Sequence, residues 1–413
     1  MSAGSGVLKV LDRDAWILLS TRALRSFSAS ILSVSLAIYL SKLGASSLTL
    51  GLLFTATSLF AAIRSLPEGM VADRWGRKPV LLFTGAITAA GGLVYALTTE
   101  LWPLMVSAVV FTVSGSLPYT PAEQAMLSEK VAPEQRTSVF SLNSFMETMA
   151  GVFGSLAAAA PEVFQGWGVA ELDSYRPIFL LFALSGAVSF LLYTLVRETG
   201  VEKAVHSQED EPTEYERRLV LRWSAVLALD VIGGSFTTNF LSYWFYLKWG
   251  MGPAQIGTLF GATRLFSSVS YYMGLRMAQR VGAIKAIVLS RMPGVAVNFL
   301  TPLAPGYAVA AYMQVFKSFF GMIDVPLRQS YLMGVIRSRR KASAVGVVSI
   351  ISRFTAAGAP LVSGYIIQYV SVDLPFVFAA GFQFASAALM YVLFRGVRPP
   401  DEAVSSPAGP PAS

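Results

Sequence analysis

Charged side chains set inside long apolar stretches are the residues of this sequence best placed to do chemistry. Arg25, Glu147, Asp230 and Arg353 each lie about ten residues into such a stretch, roughly 15 Å along a helix and so near the middle of a bilayer. Arg264, Lys317 and Asp324 add further charges within apolar sequence. A charge at that depth costs about 2.5–3.5 kcal/mol on insertion scales, so each needs a partner or a water-lined cavity. The chemistry this suits is the binding of a charged solute and the exchange of protons. A carboxylate that gives up its arginine partner to an incoming solute can take a proton instead. Asp230, with Asn239, Tyr243 and Trp244 further along the same stretch, is the first choice for that acid, followed by Glu147 and then Asp324. Purely structural salt bridges are the alternative, and the two roles are compatible.

The elements that carry these charges follow from composition. Of 413 residues, 54% are hydrophobic and only 14% charged, against about 25% charged in soluble domains, and the mean hydropathy is +0.57. Twelve stretches can cross a bilayer as helices: 15–41, 47–71, 79–98, 101–127, 137–160, 175–196, 220–247, 254–278, 284–303, 307–334, 342–370 and 374–395. An internal repeat divides them. Gly51, Leu53, Phe54, Ala56 and Thr57 match Gly257, Leu259, Phe260, Ala262 and Thr263, 206 residues later (51 to 257). The expected organisation is an N-terminal six-helix bundle (1–197), a polar linker (198–218), a C-terminal six-helix bundle (219–397) and a disordered tail (398–413). In this register Arg25 corresponds to Asp230, Glu147 to Arg353 and Glu123 to Arg328, with the sign exchanged each time. The register predicts Arg25 near Glu147 and Asp230 near Arg353, each within salt-bridge or single-water reach.

Basic residues collect in the loops after even-numbered spans, such as Arg74, Arg77, Lys78, Arg197, Arg280 and Arg337. That places these loops and both termini in the cytoplasm, in a multi-pass protein of the cell (plasma or inner) membrane. The net charge of +8 then reflects topology and points to no nucleic-acid partner.

The loop after the second span carries Gly69, Asp73, Arg74, Gly76, Arg77 and Lys78, and a weaker copy with Arg280 and Gly282 follows the eighth. The glycines allow close approach and a tight turn. Asp73 can face the positive N-terminus of another helix, and Arg77 can clamp a nearby carboxylate; Glu129 is a further gating candidate. In this location the loop resembles the signature loop of the major facilitator superfamily, and the resemblance covers nearly the whole chain. It implies that the loop latches a cytoplasmic gate against the eleventh helix, beginning near Ala342. It also implies that the first and seventh helices face a central cavity, which makes Tyr39, Tyr243 and Tyr246 lining candidates. The ninth helix is peripheral in the resembled fold, so Arg291 is expected to snorkel. The chain departs from family patterns in two places: the fourth span has no arginine around Phe111 to Gly115, and Gly151, Gly154 and Pro161 match the drug-exporter pattern of the fifth helix poorly.

With no cysteine, one histidine (His206) and no GxxxxGK loop, neither a metal site, a cofactor site nor a nucleotide motor is encoded, and an enzyme is not expected. The expected function is secondary active transport of a small organic solute by alternating access, driven by protons or another ion gradient, in a monomer embedded in the lipid bilayer. Basic residues within the spans (Arg22, Arg25, Arg64, Arg264, Arg291, Lys317, Arg328 and Arg353) outnumber the acids Glu123, Glu147, Asp230 and Asp324. This leans towards an anionic or zwitterionic substrate. The alternatives are a drug/proton antiporter exporting amphipathic compounds and, from another class, a transporter-like membrane sensor. Asp73→Asn is expected to leave the protein folded but to slow transport; normal transport kinetics in a well-folded Asp73→Asn protein count against the latch.

Overall fold

The computed structural model describes residues 11–111, 121–131, 135–198, 214–325, 327–328, 331, 348, 351–352 and 354–395. Among these residues there are helices and turns but no strand. In chain order the helices are α1 (Arg13–Lys42), α2 (Ser47–Trp75), α3 (Lys78–Leu97), α4 (Leu101–Val110), α5 (Pro121–Glu129), α6 (Arg136–Ala157), α7 (Ala160–Gly166) and α8 (Arg176–Leu195). There follow α9 (Glu214–Thr238), α10 (Leu241–Trp249), α11 (Pro253–Val281), α12 (Ala283–Leu300), α13 (Tyr307–Phe320), α14 (Ala359–Tyr369) and α15 (Leu374–Phe394).

Local chemistry explains where helices start and stop. Asp12 caps α1 by accepting from Arg13 N (2.7 Å), and Ser46 caps α2 by accepting from Thr49 N (3.1 Å). Four glycines that punctuate the chain have positive φ: Gly44 (93°), Gly76 (90°), Gly250 (64°) and Gly282 (84°). They fall in two pairs 206 residues apart (44 to 250, 76 to 282), so the repeat recurs as backbone geometry that side chains disfavour.

Seven helical runs among the described residues are long and apolar enough to cross a bilayer: Arg13–Lys42, Ser47–Arg64, Lys78–Leu97, Asp173–Leu195, Arg217–Thr238, Ala283–Leu303 and Leu374–Phe394. Several expected spans take a different form. The seventh breaks at Asn239 and Phe240 into α9 and α10, after the β-branched Thr237 and Thr238. The tenth breaks at Gly321–Ile323 and turns helical again at Asp324. The fourth is divided between α4 and α5, with 112–120 outside the described residues, and the eleventh is described only in part. Glu214 opens α9 without a break, so this end of the expected linker is part of the seventh helix. The linker residues 199–213 and the tail from 396 lie outside the described residues.

The chain forms two compact units. The first comprises 1–204 together with Thr238–Leu265 and Pro360–Asp373; the second comprises 205–237, 266–359 and 374–413. In the first, Leu18, Leu81, Met126, Val139 and Tyr193 share a core. In the second, Trp223 stacks on Tyr331 (5.1 Å between centroids) beside Phe394. Large apolar side chains such as Phe83, Leu97, Trp102, Leu184 and Phe384 are exposed, as a bilayer-facing surface requires.

Among the described residues the most extensive helix contact in the first unit is α3 against α8. A Cβ at Gly186 would overlap the backbone of Ala89, and one at Gly85 would come within 3.0 Å of Phe190, the small-residue contact by which helices associate in lipid. Gly186→Val is therefore expected to destabilise the protein by about 1–3 kcal/mol through overpacking, read as a lower midpoint of thermal unfolding. Gly166→Ala, where nothing lies within 4 Å, should leave the midpoint unchanged; equal midpoints for all three proteins count against this packing.

Candidate functional site

Arg22 and Arg25 lie one turn apart on α1 and reach different helices. Arg22 grips Glu147 of α6 through Nε (2.8 Å) and Nη2 (2.5 Å), both to Oε2. Beside this pair the Ser26 hydroxyl donates to the Glu147 backbone oxygen (2.7 Å), and the Ser30 hydroxyl donates to the Ser26 backbone oxygen (2.7 Å). Gly151, one turn beyond Glu147, leaves the space that these groups use. A Cβ there would stand 2.8 Å from Arg264 Nη1 of α11 and 3.1 Å from the hydroxyls of both Ser26 and Ser30. Glu147, Gly151 and Gly154 share one face of α6, since four and seven residues are close to whole turns, whereas the exposed Phe145 and Phe153 point elsewhere. The Glu147 side chain is 38% exposed although its partner Arg22 is only 13% exposed. It is an ion pair with a reachable carboxylate.

The carboxylates of Glu123, Asp230 and Asp324 are buried. Arg25 pairs with Glu123 of α5, at 8% and 3% exposure respectively, and Tyr193 of α8 donates its hydroxyl to the same carboxylate (3.2 Å). In the second unit Asp230 of α9 meets Arg291 of α12 and Arg328 (3.3 Å). Asp324 accepts from Arg291 Nε (2.7 Å) and lies 3.1 Å from Arg328 Nε. Two acids and two arginines thus form one closed network, next to a void of about 10 Å³, which is roughly the room for one water.

The expected direct ion pair of Arg25 with Glu147 is corrected. Glu147 belongs to Arg22 and Arg25 belongs to Glu123, because a register between repeats fixes depth but not the direction of a side chain around its helix. Asp230 is held by Arg291 and Arg328, while Arg353, its expected partner, lies outside the described residues. Arg291 does not snorkel: it is the centre of the network. The exchange of sign between halves is nevertheless a contact between matching helices. Arg25–Glu123 and Asp230–Arg328 are the same pair, 205 residues apart (25 to 230, 123 to 328), with the charges swapped.

Lys317 donates to Asn298 Oδ1 (2.7 Å), and Asn298 Nδ2 donates to Gln383 Oε1 (2.8 Å), an amide chain joining α13, α12 and α15. Tyr39 is packed among Tyr95, Tyr175 and Phe179 and is 1% exposed, so it is placed in the core. Tyr243 and Tyr246 are stacked 6.4 Å apart on α10.

In the signature loop Arg77 pairs with Glu129. Glu198, at the start of the expected linker, accepts from Arg77 N (2.7 Å) and Lys78 N (3.1 Å), which caps α3. Lys78 Nζ donates to the backbone oxygens of Thr194 (2.7 Å) and Val196 (2.8 Å) at the end of α8. Gly76 is the turn that admits the Glu198 carboxylate. Gly69 lies within α2, and Arg74 and Arg280 are exposed. The Asp73 side chain and the region of Ala342 lie outside the described residues. Sequence reasoning passed over Glu198 and the pairing of Arg22. The spacing of Arg22 and Arg25, three residues on one helix face, was the available signal for the latter.

Comparison with known proteins places this geometry in context. The family model described as Major Facilitator Superfamily matches residues 18–247 and 224–413. An uncharacterized membrane protein of Saccharomyces cerevisiae is 22% identical, covering 94% of this chain and 96% of its own. A Na(+), Li(+), K(+)/H(+) antiporter of Planococcus maritimus is 31% identical over 36% of this chain and 33% of its own, so the chain matches about a third of that relative. Among solved structures, a bacterial homolog of the human lysosomal transporter Spinster, captured inward-facing and occupied, superposes with a TM-score of 0.75 at 14% identity, covering 95% of this chain and 98% of its own. Matched over nearly its full length, the chain belongs to the major facilitator superfamily and is a multi-pass membrane transporter.

Proposed function

We propose that this chain is a proton-coupled secondary transporter of a small anionic or zwitterionic solute, with Glu147 as its coupling acid. The observation that carries this reading is the Arg22–Glu147 pair, whose carboxylate is exposed and flanked by Arg264, Ser26 and Ser30. An anionic group of the solute competes with Glu147 for the guanidinium of Arg22. Once displaced, the carboxylate takes a proton, because a charge without its partner is costly within the membrane. Release of the solute lets the pair re-form and the proton depart. Asp230 suits the role less well, since it is buried and held by two arginines. The preference for negative charge rests on the excess of basic residues within the spans and on Lys317, whose partner is an amide oxygen.

In this proposal twelve spans form two six-helix halves (1–197 and 219–397), joined by the linker 198–218 and followed by the tail 398–413. Both termini are cytoplasmic, the membrane is the plasma or inner membrane, and the working unit is a monomer that alternates access between its halves. A second reading, export of cations in exchange for protons, draws support from the partial likeness to the Planococcus antiporter.

The test uses proteoliposomes with an entrapped pH dye and a panel of organic anions, zwitterions and cations. Anions or zwitterions are expected to evoke proton movement in the parent protein, and cations to evoke it under the second reading. Glu147→Gln should abolish accumulation driven by a pH gradient while sparing exchange of labelled solute, which needs no net proton transfer. A Glu147→Gln protein that still concentrates solute under an imposed gradient removes Glu147 from the coupling role and makes Asp230 the next acid to substitute.

A further inference from the structure

Two helix N-termini in the first unit are capped by side chains from distant helices, and the two caps are equivalent under the repeat. Gln368 of α14 accepts from Ser47 N (3.0 Å), the first N–H of α2. Glu162 of α7 accepts from Ala254 N (2.9 Å), the first N–H of α11, since Pro253 before it has none. The two acceptors are 206 residues apart (162 to 368), the spacing that relates Gly51 to Gly257 and Gly76 to Gly282. Behind each cap the same close seam recurs. Gly51 of α2 faces the backbone of Pro360 and Gly364 in α14, and Gly257 of α11 faces Ser155 and Ala158 at the end of α6. A Cβ at Gly252 would overlap the Glu162 carboxylate, so the glycine admits the cap.

Further ties surround the caps. Lys42 at the end of α1 pairs with Glu171 and lies over the Tyr246 ring (5.6 Å). Lys248 pairs with Asp373 (2.8 Å), and Trp244 Nε1 donates to the same carboxylate (2.9 Å). All of this stands at the opposite end of α2 from the signature loop, since α2 runs for 29 residues between them, roughly 43 Å at 1.5 Å per residue. Each cap satisfies an N–H that would otherwise lack a partner and sets an oxygen against the positive end of a helix.

We propose that Glu162 and Gln368 are a symmetric pair of latches that hold this end of the protein closed, and that the transport cycle must release both. The proposal rests on the alternating-access reading given above. Within it, the two latches do at this end what the signature loop is expected to do at the other. They differ in one respect: the latch on α11 carries a charge and the latch on α2 does not.

The absence of cysteine from the chain makes a direct test possible. Ala158 is fully buried against the Gly257 seam, so Ala158→Cys reports opening of that seam through its rate of reaction with a membrane-impermeant maleimide in liposomes. Glu162→Ala and Gln368→Ala are each expected to raise the rate about fivefold, the equivalent of the ~1 kcal/mol typical of a lost cap, and together to raise it further. Glu162→Gln should stay close to the parent, because Gln368 makes the same bond with an amide oxygen. An unchanged rate in the combined variant overturns the latch. So does an equal rise in Gly186→Val, which loosens the fold away from the seam. Fast labelling of the combined variant only from the cytoplasmic side keeps the latch and overturns the proposed topology instead.

Discussion

A charge within hydrocarbon must have a counter-charge, and the arrangement of this protein follows from how it meets that requirement. Four acids within the spans whose side chains are described are held by arginine: Glu147 by Arg22, Glu123 by Arg25, and Asp230 and Asp324 by Arg291 and Arg328. Removing one partner of a sealed pair leaves an uncompensated buried charge, at a typical cost of 3–5 kcal/mol. Such pairs therefore dictate which helices are neighbours. The Arg25–Glu123 and Asp230–Arg328 contacts use opposite signs to join matching helices, so each half specifies its own packing, and swapping partners between halves would bring like charges together.

Beside the buried carboxylates of Glu123, Asp230 and Asp324, that of Glu147 stands out for its exposure. Its surroundings are built from small residues: Ser26, Ser30, Gly151 and Gly154 lie where larger side chains would fill the space. Gly154 is pressed against the backbone of Phe27, which fixes α6 to α1 about two turns along α6 from Glu147. The interruption at Gly321–Ile323 directly precedes Asp324 of the charged network. Irregular backbone is tolerated at membrane depth where protein or a cavity satisfies it.

Much of this was legible in the sequence, because membrane helices announce themselves through length and apolarity and because the repeat fixes depth. The left-handed glycines Gly44, Gly76, Gly250 and Gly282 fall where that repeat places equivalent turns. The partners of individual charges were not legible. Depth says nothing about the direction of a side chain around its helix, which is why Arg25 was expected at Glu147 and is found at Glu123. Tyr39 was expected on a path because of the helix that carries it, yet it points into an aromatic core that only tertiary packing creates. Glu162 and Gln368 had a signal in the sequence, their spacing of 206 residues, but nothing in their types marks them as caps until the helix termini they meet are known.

The central claim is that the exposed Glu147 carboxylate, held by arginine while Glu123, Asp230 and Asp324 are buried, marks a site that receives a negatively charged group. The most direct measurement is ligand stabilisation: thermal unfolding of the purified protein in detergent against a panel of small organic anions, zwitterions and cations, repeated on an Arg22→Gln variant. The account predicts that stabilising compounds are anions or zwitterions and that their effect is lost in Arg22→Gln. Stabilisation by cations alone, or by anions equally in both proteins, would contradict it.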